Sequence, residues 1–261
     1  MSIRFEKTDE KIPLIEEPAK EIAEYVLKSD IELFHVFANT LLDCHTYKAN
    51  TFVNDKIVKK IDLQKILYPQ IADELEHLKN LLWEYFICID DFKLDSLLKT
   101  NSSYYKNVST EQKKLNKIRG VLFEIFVETI IRSRYFKGIF ETGCIVVLNG
   151  KKVISYYNGK ARTTIDIAAY KEERGEFYEC KLSPNSLNEE SYQYLDLLEK
   201  KCSRINGFDY LVGCITLGKK LSLENMRVQI EENLELCNEN IMLFGGDELL
   251  QLKETPFMEA I

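Results

Sequence analysis

The chain has 261 residues, 45% hydrophobic and 30% charged, with 11 glycines and 5 prolines. That composition suits one large or two small globular domains and excludes a disordered or linker-type chain. The formal net charge of -7 argues against a uniformly basic nucleic-acid binder.

The charge is unevenly spread along the chain. Residues 111–181 hold 14 basic against 9 acidic side chains, while residues 1–110 and 182–261 are both acidic. Phosphate contacts respond to a local field rather than to overall charge. The seven cysteines are scattered, form no Cys-x-x-Cys pair and often sit in apolar surroundings, as in Phe86-Ile87-Cys88-Ile89. That pattern implies reduced, buried thiols and a cytoplasmic protein. His35, Cys44 and His45 lie close in sequence but lack an evident fourth zinc ligand. The N-terminus shows no apolar signal core, and no apolar run reaches membrane-spanning length, so neither secretion nor a membrane is expected.

In chain order, residues 1–110 read as a mainly helical region. Ala19 to Leu42 places Ile22, Tyr25, Val26, Leu33, Phe37 and Leu41 at helical spacing, with a break at Ser29-Asp30. Lys48 to Val58 is weaker, a short hairpin or a loop. Pro69 to Cys88 repeats the helical pattern, and Asn101-Ser102-Ser103 reads as a connector. Glu111 to Tyr135 is one long helix, and the character then changes. Gly143–Leu148 and Val153–Tyr157 read as strands around the Asn149-Gly150 turn, and Asn158-Gly159 marks a second turn. Arg162–Tyr170 and Glu176–Leu182 are further strands. A helix near 188–205, a strand at 210–217, a helix at 223–236, a strand at 241–244 and a final helix complete the order, with Asp247 as a helix cap. The expected fold class is α/β: a mixed central sheet flanked by helices over residues 111–261, preceded by the helical region 1–110.

Chemistry concentrates in two of these strands. Thr164-Ile165-Asp166-Ile167-Ala168 sets one carboxylate in a strand otherwise fit for burial, which is costly unless a cation or hydrogen bonds meet it. In Glu176-Phe177-Tyr178-Glu179-Cys180-Lys181, alternation puts Glu179 and Lys181 on one face and Cys180 on the other. A hairpin turning near Glu173-Arg174 brings Asp166 roughly opposite residues 180–181. Two carboxylates, with the backbone carbonyl of Cys180, offer Mg²⁺ the hard oxygen ligands it prefers. Such an ion and an adjacent lysine suit phosphodiester hydrolysis.

Asp166, twelve intervening residues, then Glu179-Cys180-Lys181 resembles the PD-(D/E)XK nuclease superfamily, with Ile165 in place of the motif's proline. The resemblance covers about residues 111–250. It implies a restriction-endonuclease-like fold, Mg²⁺ (Mn²⁺ substituting) as cofactor, and nucleic acid as partner, DNA before RNA. It implies Asp166, Glu179 and Cys180 at the metal, Glu124 on the preceding helix as accessory ligand, with Glu128 as its rival, and Lys181 handling water and charge. Gln193, or less favourably Tyr192, fits the polar residue on the following helix. A restriction or phage-defence role is an analogy of architecture.

Several of these residues have plainer readings. Glu124 and Glu128 suit helical pairing with Arg132. Gln193, Lys200, Lys201 and Arg204 suit a solvated helix face. Tyr104-Tyr105-Lys106 mixes aromatic and basic side chains as nucleic-acid surfaces do, yet also suits a partly buried linker. The competing function is an inactive, nuclease-like subunit that binds a protein or nucleic acid, or pairs with itself, through its acidic flanks.

Overall fold

The computed structural model describes residues 2–8, 13–43, 53–87, 111–135 and 137–254. Cys44, His45, Cys88 and the Asn101–Lys106 segment lie outside them. Two compact units emerge, Glu10–Thr129 and Met1–Asp9 together with Ile130–Ile261. The division differs from the change of pattern at residue 111. It falls within a long helix, and the first residues belong with the sheet.

The first unit is helical. Helices α1 (Pro13–Lys28) and α2 (Ile31–Leu42) are separated at Ser29-Asp30, as the sequence implies. A π-helical turn, Val53–Val58, leads into α3 (Lys59–Leu67), and α4 spans Ala72–Ile87. The helical turn over Val53–Val58 replaces the hairpin or loop expected within Lys48 to Val58, and α3 continues it. Its periodicity is weak because Ile61 is buried on α3 while Leu63, Ile66 and Leu67 face solvent. The unit ends in the first part of α5 (Glu111–Arg134). Phe34 and Phe37 pack on Phe126 with ring centroids 5.6 and 5.2 Å apart, and the Tyr85 hydroxyl donates to the Ile118 carbonyl at 3.0 Å.

The second unit is α/β, with a mixed seven-stranded sheet flanked by helices. Its strands are β1 (Ile3–Lys7), β2 (Ile139–Leu148), β3 (Lys151–Lys152), β6 (Thr164–Lys171), β7 (Arg174–Lys181), β8 (Asp209–Thr216) and β9 (Met242–Phe244). The order is β1-β2-β6-β7-β8-β9, with β3 paired to β2. The first four of that order run antiparallel, whereas β7, β8 and β9 are parallel. Parallel neighbours need crossovers, which α6 (Glu189–Cys202) and α7 (Lys220–Leu234) supply. Two short helices follow, α8 (Gly246–Leu249) and α9 (Gln251–Glu254). The α8 cap is Gly245 rather than Asp247, and the Glu248 carboxylate accepts from the Gly245 N–H at 3.0 Å.

Two features escape local periodicity. Strand β1 pairs with β2, Ile3 opposite Leu148, over a separation that no local pattern reports. The expected return strand Val153–Tyr157 and the start of the next strand are instead a separate hairpin, β4 (Ser155–Tyr157) with β5 (Lys160–Arg162). Its Asn158-Gly159 turn has φ of 47° and 74°, the left-handed pair that a tight two-residue hairpin requires. The hairpin packs on α6, and the Tyr157 hydroxyl donates to Glu189.

The core of this unit lies between the sheet and α6. Phe177, Ala168, Val212 and Cys214 from the strands meet Leu195, Leu198 and Cys202 from the helix, with α7 adding Leu223. Cys144, Cys180, Cys202 and Cys214 are buried, whereas Cys237 is exposed.

Candidate active site

Strands β6 and β7 join through Glu172-Glu173, both with positive φ, so Lys171 pairs with Arg174. Counting on, Ala168 faces Phe177 and Ile167 faces Tyr178, which makes Glu179 the cross-strand neighbour of Asp166. The register therefore sits one to two residues from the position that the sequence implies. Asp166, Glu179 and Lys181 share the face of Ala168 and Phe177, the face covered by α6.

Each carboxylate is held differently. One Asp166 oxygen, Oδ2, accepts the Cys180 N–H at 2.8 Å. Glu179 is fully buried and surrounded by donors. Arg162 places one terminal nitrogen, Nη2, 2.6 Å from both carboxylate oxygens. Lys181 donates its ammonium to Oε1, and the Ser191 hydroxyl reaches the same oxygen at 3.3 Å. Arg162 also donates from Nη1 to the Ser191 oxygen at 3.0 Å, and its guanidinium lies 5.8 Å from the Tyr194 ring centre. The Tyr194 hydroxyl in turn donates to the Thr163 carbonyl at 3.1 Å, tying the hairpin end to α6.

These contacts polarise the pair. Burial, and then the negative charge of Glu179, push the Asp166 carboxyl up to about 6, against the pull of Lys181 and the Cys180 N–H. For Glu179 burial acts in the same direction, but Lys181 and Arg162 outweigh it and hold the carboxyl below its usual range. Burial also opposes the charge on Lys181, yet Glu179 and Asp166 keep the ammonium more tightly protonated than an ordinary lysine. The two carboxylates thus differ because Arg162 and Lys181 hydrogen-bond directly to Glu179 and act on Asp166 only through space.

Of the residues singled out in the sequence, Asp166, Glu179 and Lys181 come together. Cys180 contributes its backbone N–H to Asp166, while its thiol is buried on the opposite face. Gln193 makes no hydrogen bond to the three, and its side-chain oxygen is buried without a hydrogen-bond partner. Ser191 holds the helix position that reaches Glu179. Two residues on, Gln193 points roughly 200° around the helix. Tyr192 faces elsewhere, donating to Glu231 and to the Asn238 carbonyl. Glu124 is half-buried on α5 in the helical unit, with Glu128 buried nearby in sequence. The site within the sheet unit is therefore built from Asp166, Glu179, Lys181 and two residues that sequence reasoning missed, Arg162 and Ser191. Arg162 was legible only as part of a continuous strand. Ser191 carried one faint signal, its place three residues after Asn188, whose side chain caps α6 by accepting the Ser191 N–H at 2.9 Å.

Among the described residues no three His, Cys, Asp or Glu side chains gather as a metal-binding group. Lys200 is exposed and pairs at 2.8 Å with Asp196, which is buried. Among the described residues no helix is long and apolar enough to cross a membrane.

No family model matches the chain, and no curated protein matches it. Among solved structures, protein VC1899 from Vibrio cholerae is similar to it at 16% identity and a TM-score of 0.41, over 99% of this chain and 59% of that one. The chain thus spans less than two thirds of that protein's length. A likeness of this size identifies neither a fold family nor a function.

Proposed function

We propose that the chain is a divalent-cation-dependent nuclease of the PD-(D/E)XK type, with DNA the first substrate to test and RNA the second. The observation that carries this reading is the juxtaposition of Asp166, Glu179 and Lys181 on one face of the β6–β7 pair. A helix before the strand meander and a helix–strand unit after it also match what the motif resemblance implies.

The donor set suits Mg²⁺ or Mn²⁺. Magnesium is commonly held by only one or two carboxylates and keeps several waters, so a third acidic side chain is not required. Asp166 is a carboxyl raised by burial and by a neighbouring negative charge, the state that a cation relieves. Asp166 and Glu179 would hold the ion, together with the Cys180 carbonyl. When bound, such an ion makes a coordinated water more acidic and offsets charge on a phosphate. Lys181 stays protonated at neutral pH, which fits a donor to phosphate or to developing negative charge better than a proton acceptor. Arg162 and Ser191 fix the Glu179 carboxylate in one orientation.

The test is cleavage of DNA and of RNA with Mg²⁺ or Mn²⁺ by the wild type, Asp166→Ala and Lys181→Ala. Equal cutting by all three sinks the assignment. A second reading, an inactive nuclease-like binding subunit, is favoured by one observation: Glu179 already has two cationic partners. The acidic flanks of the sequence would then meet a basic protein partner or a second copy. Calorimetry with Mg²⁺ separates the readings, because no binding near the millimolar range by a folded chain supports the second.

A further inference from the structure

We infer that Arg162 is a resident cation that competes with the divalent ion for Glu179, so that the β4–β5 hairpin sets how tightly the site loads metal. The inference rests on the nuclease-type reading above and adds a regulating residue that the motif does not contain.

Charge is the first argument. Glu179 already pairs with both Arg162 and Lys181, and Asp166 is its cross-strand neighbour, so two carboxylates meet two cations with no ion present. A divalent ion would leave a surplus of two positive charges unless a cation withdraws or an anionic substrate enters. Like charges held this close in a region shielded from water repel strongly.

Geometry is the second. Arg162 approaches Glu179 through Nη2 alone, at 2.6 Å from both oxygens, instead of through the two parallel bonds that make arginine–carboxylate pairs strong. Its Nε is buried without a hydrogen-bond partner. The pairing thus engages both oxygens through one nitrogen while leaving the guanidinium incompletely satisfied, which makes Arg162 the more readily exchanged partner. Lys181 lies on the same strand as Glu179, two residues away on the same face, so its stem stays beside the carboxylate. Arg162 comes from a separate two-stranded hairpin, so its guanidinium reaches Glu179 from another element and can swing aside without moving β7.

The experiment is titration of the full chain with Mn²⁺, followed calorimetrically and by the electron paramagnetic resonance signal of free Mn²⁺. Wild type is compared with Arg162→Gln, which keeps some length but loses the charge. The expected result is at least about tenfold tighter Mn²⁺ binding by Arg162→Gln, equivalent to about 1.4 kcal/mol. Mn²⁺ should also raise the melting temperature of Arg162→Gln by more than that of the wild type, which a purely structural arginine would not produce. If wild type binds Mn²⁺ and Arg162→Gln binds it equally or more weakly, the inference fails while the metal-site reading stands. If neither binds, both fail. Should Arg162→Gln not fold, Arg162→Met decides the matter. It keeps an apolar stem but loses the charge, and it should bind Mn²⁺ tighter than wild type; no gain overturns the inference.

Discussion

Strand β7 carries two buried glutamates three residues apart, each facing an arginine, on opposite sides of the sheet. Glu176 accepts from Arg134 at the end of α5 and from the Tyr178 hydroxyl at 2.7 Å. Burial outweighs these partners and raises its carboxyl above the usual range. Glu179 is buried just as deeply, yet its carboxyl is lowered, because Lys181 and Arg162 together outweigh burial. The further difference is the neighbour: Glu179 has a second carboxylate, Asp166, across the strand pair. Burial with one arginine makes a structural tie. A second carboxylate and a second cation make the arrangement on which the proposed function rests.

The sharpest way to break the comparison is activity. Lys181→Ala should lower cleavage of DNA by about 10²–10⁴-fold, the range seen when a group acting on developing charge or proton transfer is lost. Arg134→Ala should leave cleavage per folded molecule unchanged. Parallel losses in the two variants would show that the two glutamate faces are not functionally distinct.

Stability should divide them the other way. Arg134→Ala leaves Glu176 buried without its counter-charge, and urea unfolding should register a loss of about 3–5 kcal/mol. A loss below about 1 kcal/mol would place Arg134 among surface pairs of little worth.

A smaller effect of opposite sign is expected at Asp166. Its carboxyl is raised from 3.8 to about 6, so folding favours the protonated form. The cost of ionising it is absent below pH 3.8, grows up to about pH 6 and is complete above that. Asp166→Asn should therefore unfold later than wild type in metal-free urea at pH 8, by about 1 kcal/mol, with the gap closing at pH 3.5. A gap that widens toward acid would reverse the assignment. Glu179 runs the opposite way, since its stabilisation is present above 4.5 and is lost as pH falls through its lowered value.

Ser191→Ala is the mildest test. It removes one bond to Glu179 and one from Arg162, and should cost about 1 kcal/mol of stability with a modest loss of activity. A loss as large as that of Lys181→Ala would make Ser191 part of the chemistry.

Much of the fold was readable because it rests on local rules. The break at Ser29-Asp30, the long α5 and the Asn-Gly turns follow from periodicity and turn chemistry. So does the placing of Glu179 and Lys181 on one face, since alternation in a strand depends on backbone geometry alone. What local rules could not supply were contacts between distant segments. Pairing of β1 with β2 depends on residues 3 and 148 meeting. The cross-strand register of Asp166 depends on a Glu-Glu turn in the left-handed region, which side-chain type does not announce. Gln193 and Ser191 lie on the same helix, and only the seating of that helix on the sheet decided which one meets Glu179. By itself, then, the sequence determined most of the elements and the three residues of the motif. Tertiary structure decided their partners, above all that Arg162 leaves its expected strand for a separate hairpin and lies over Glu179. The physical reason is that periodicity encodes which way a side chain points, whereas charge pairing depends on which side chains the finished fold brings within reach.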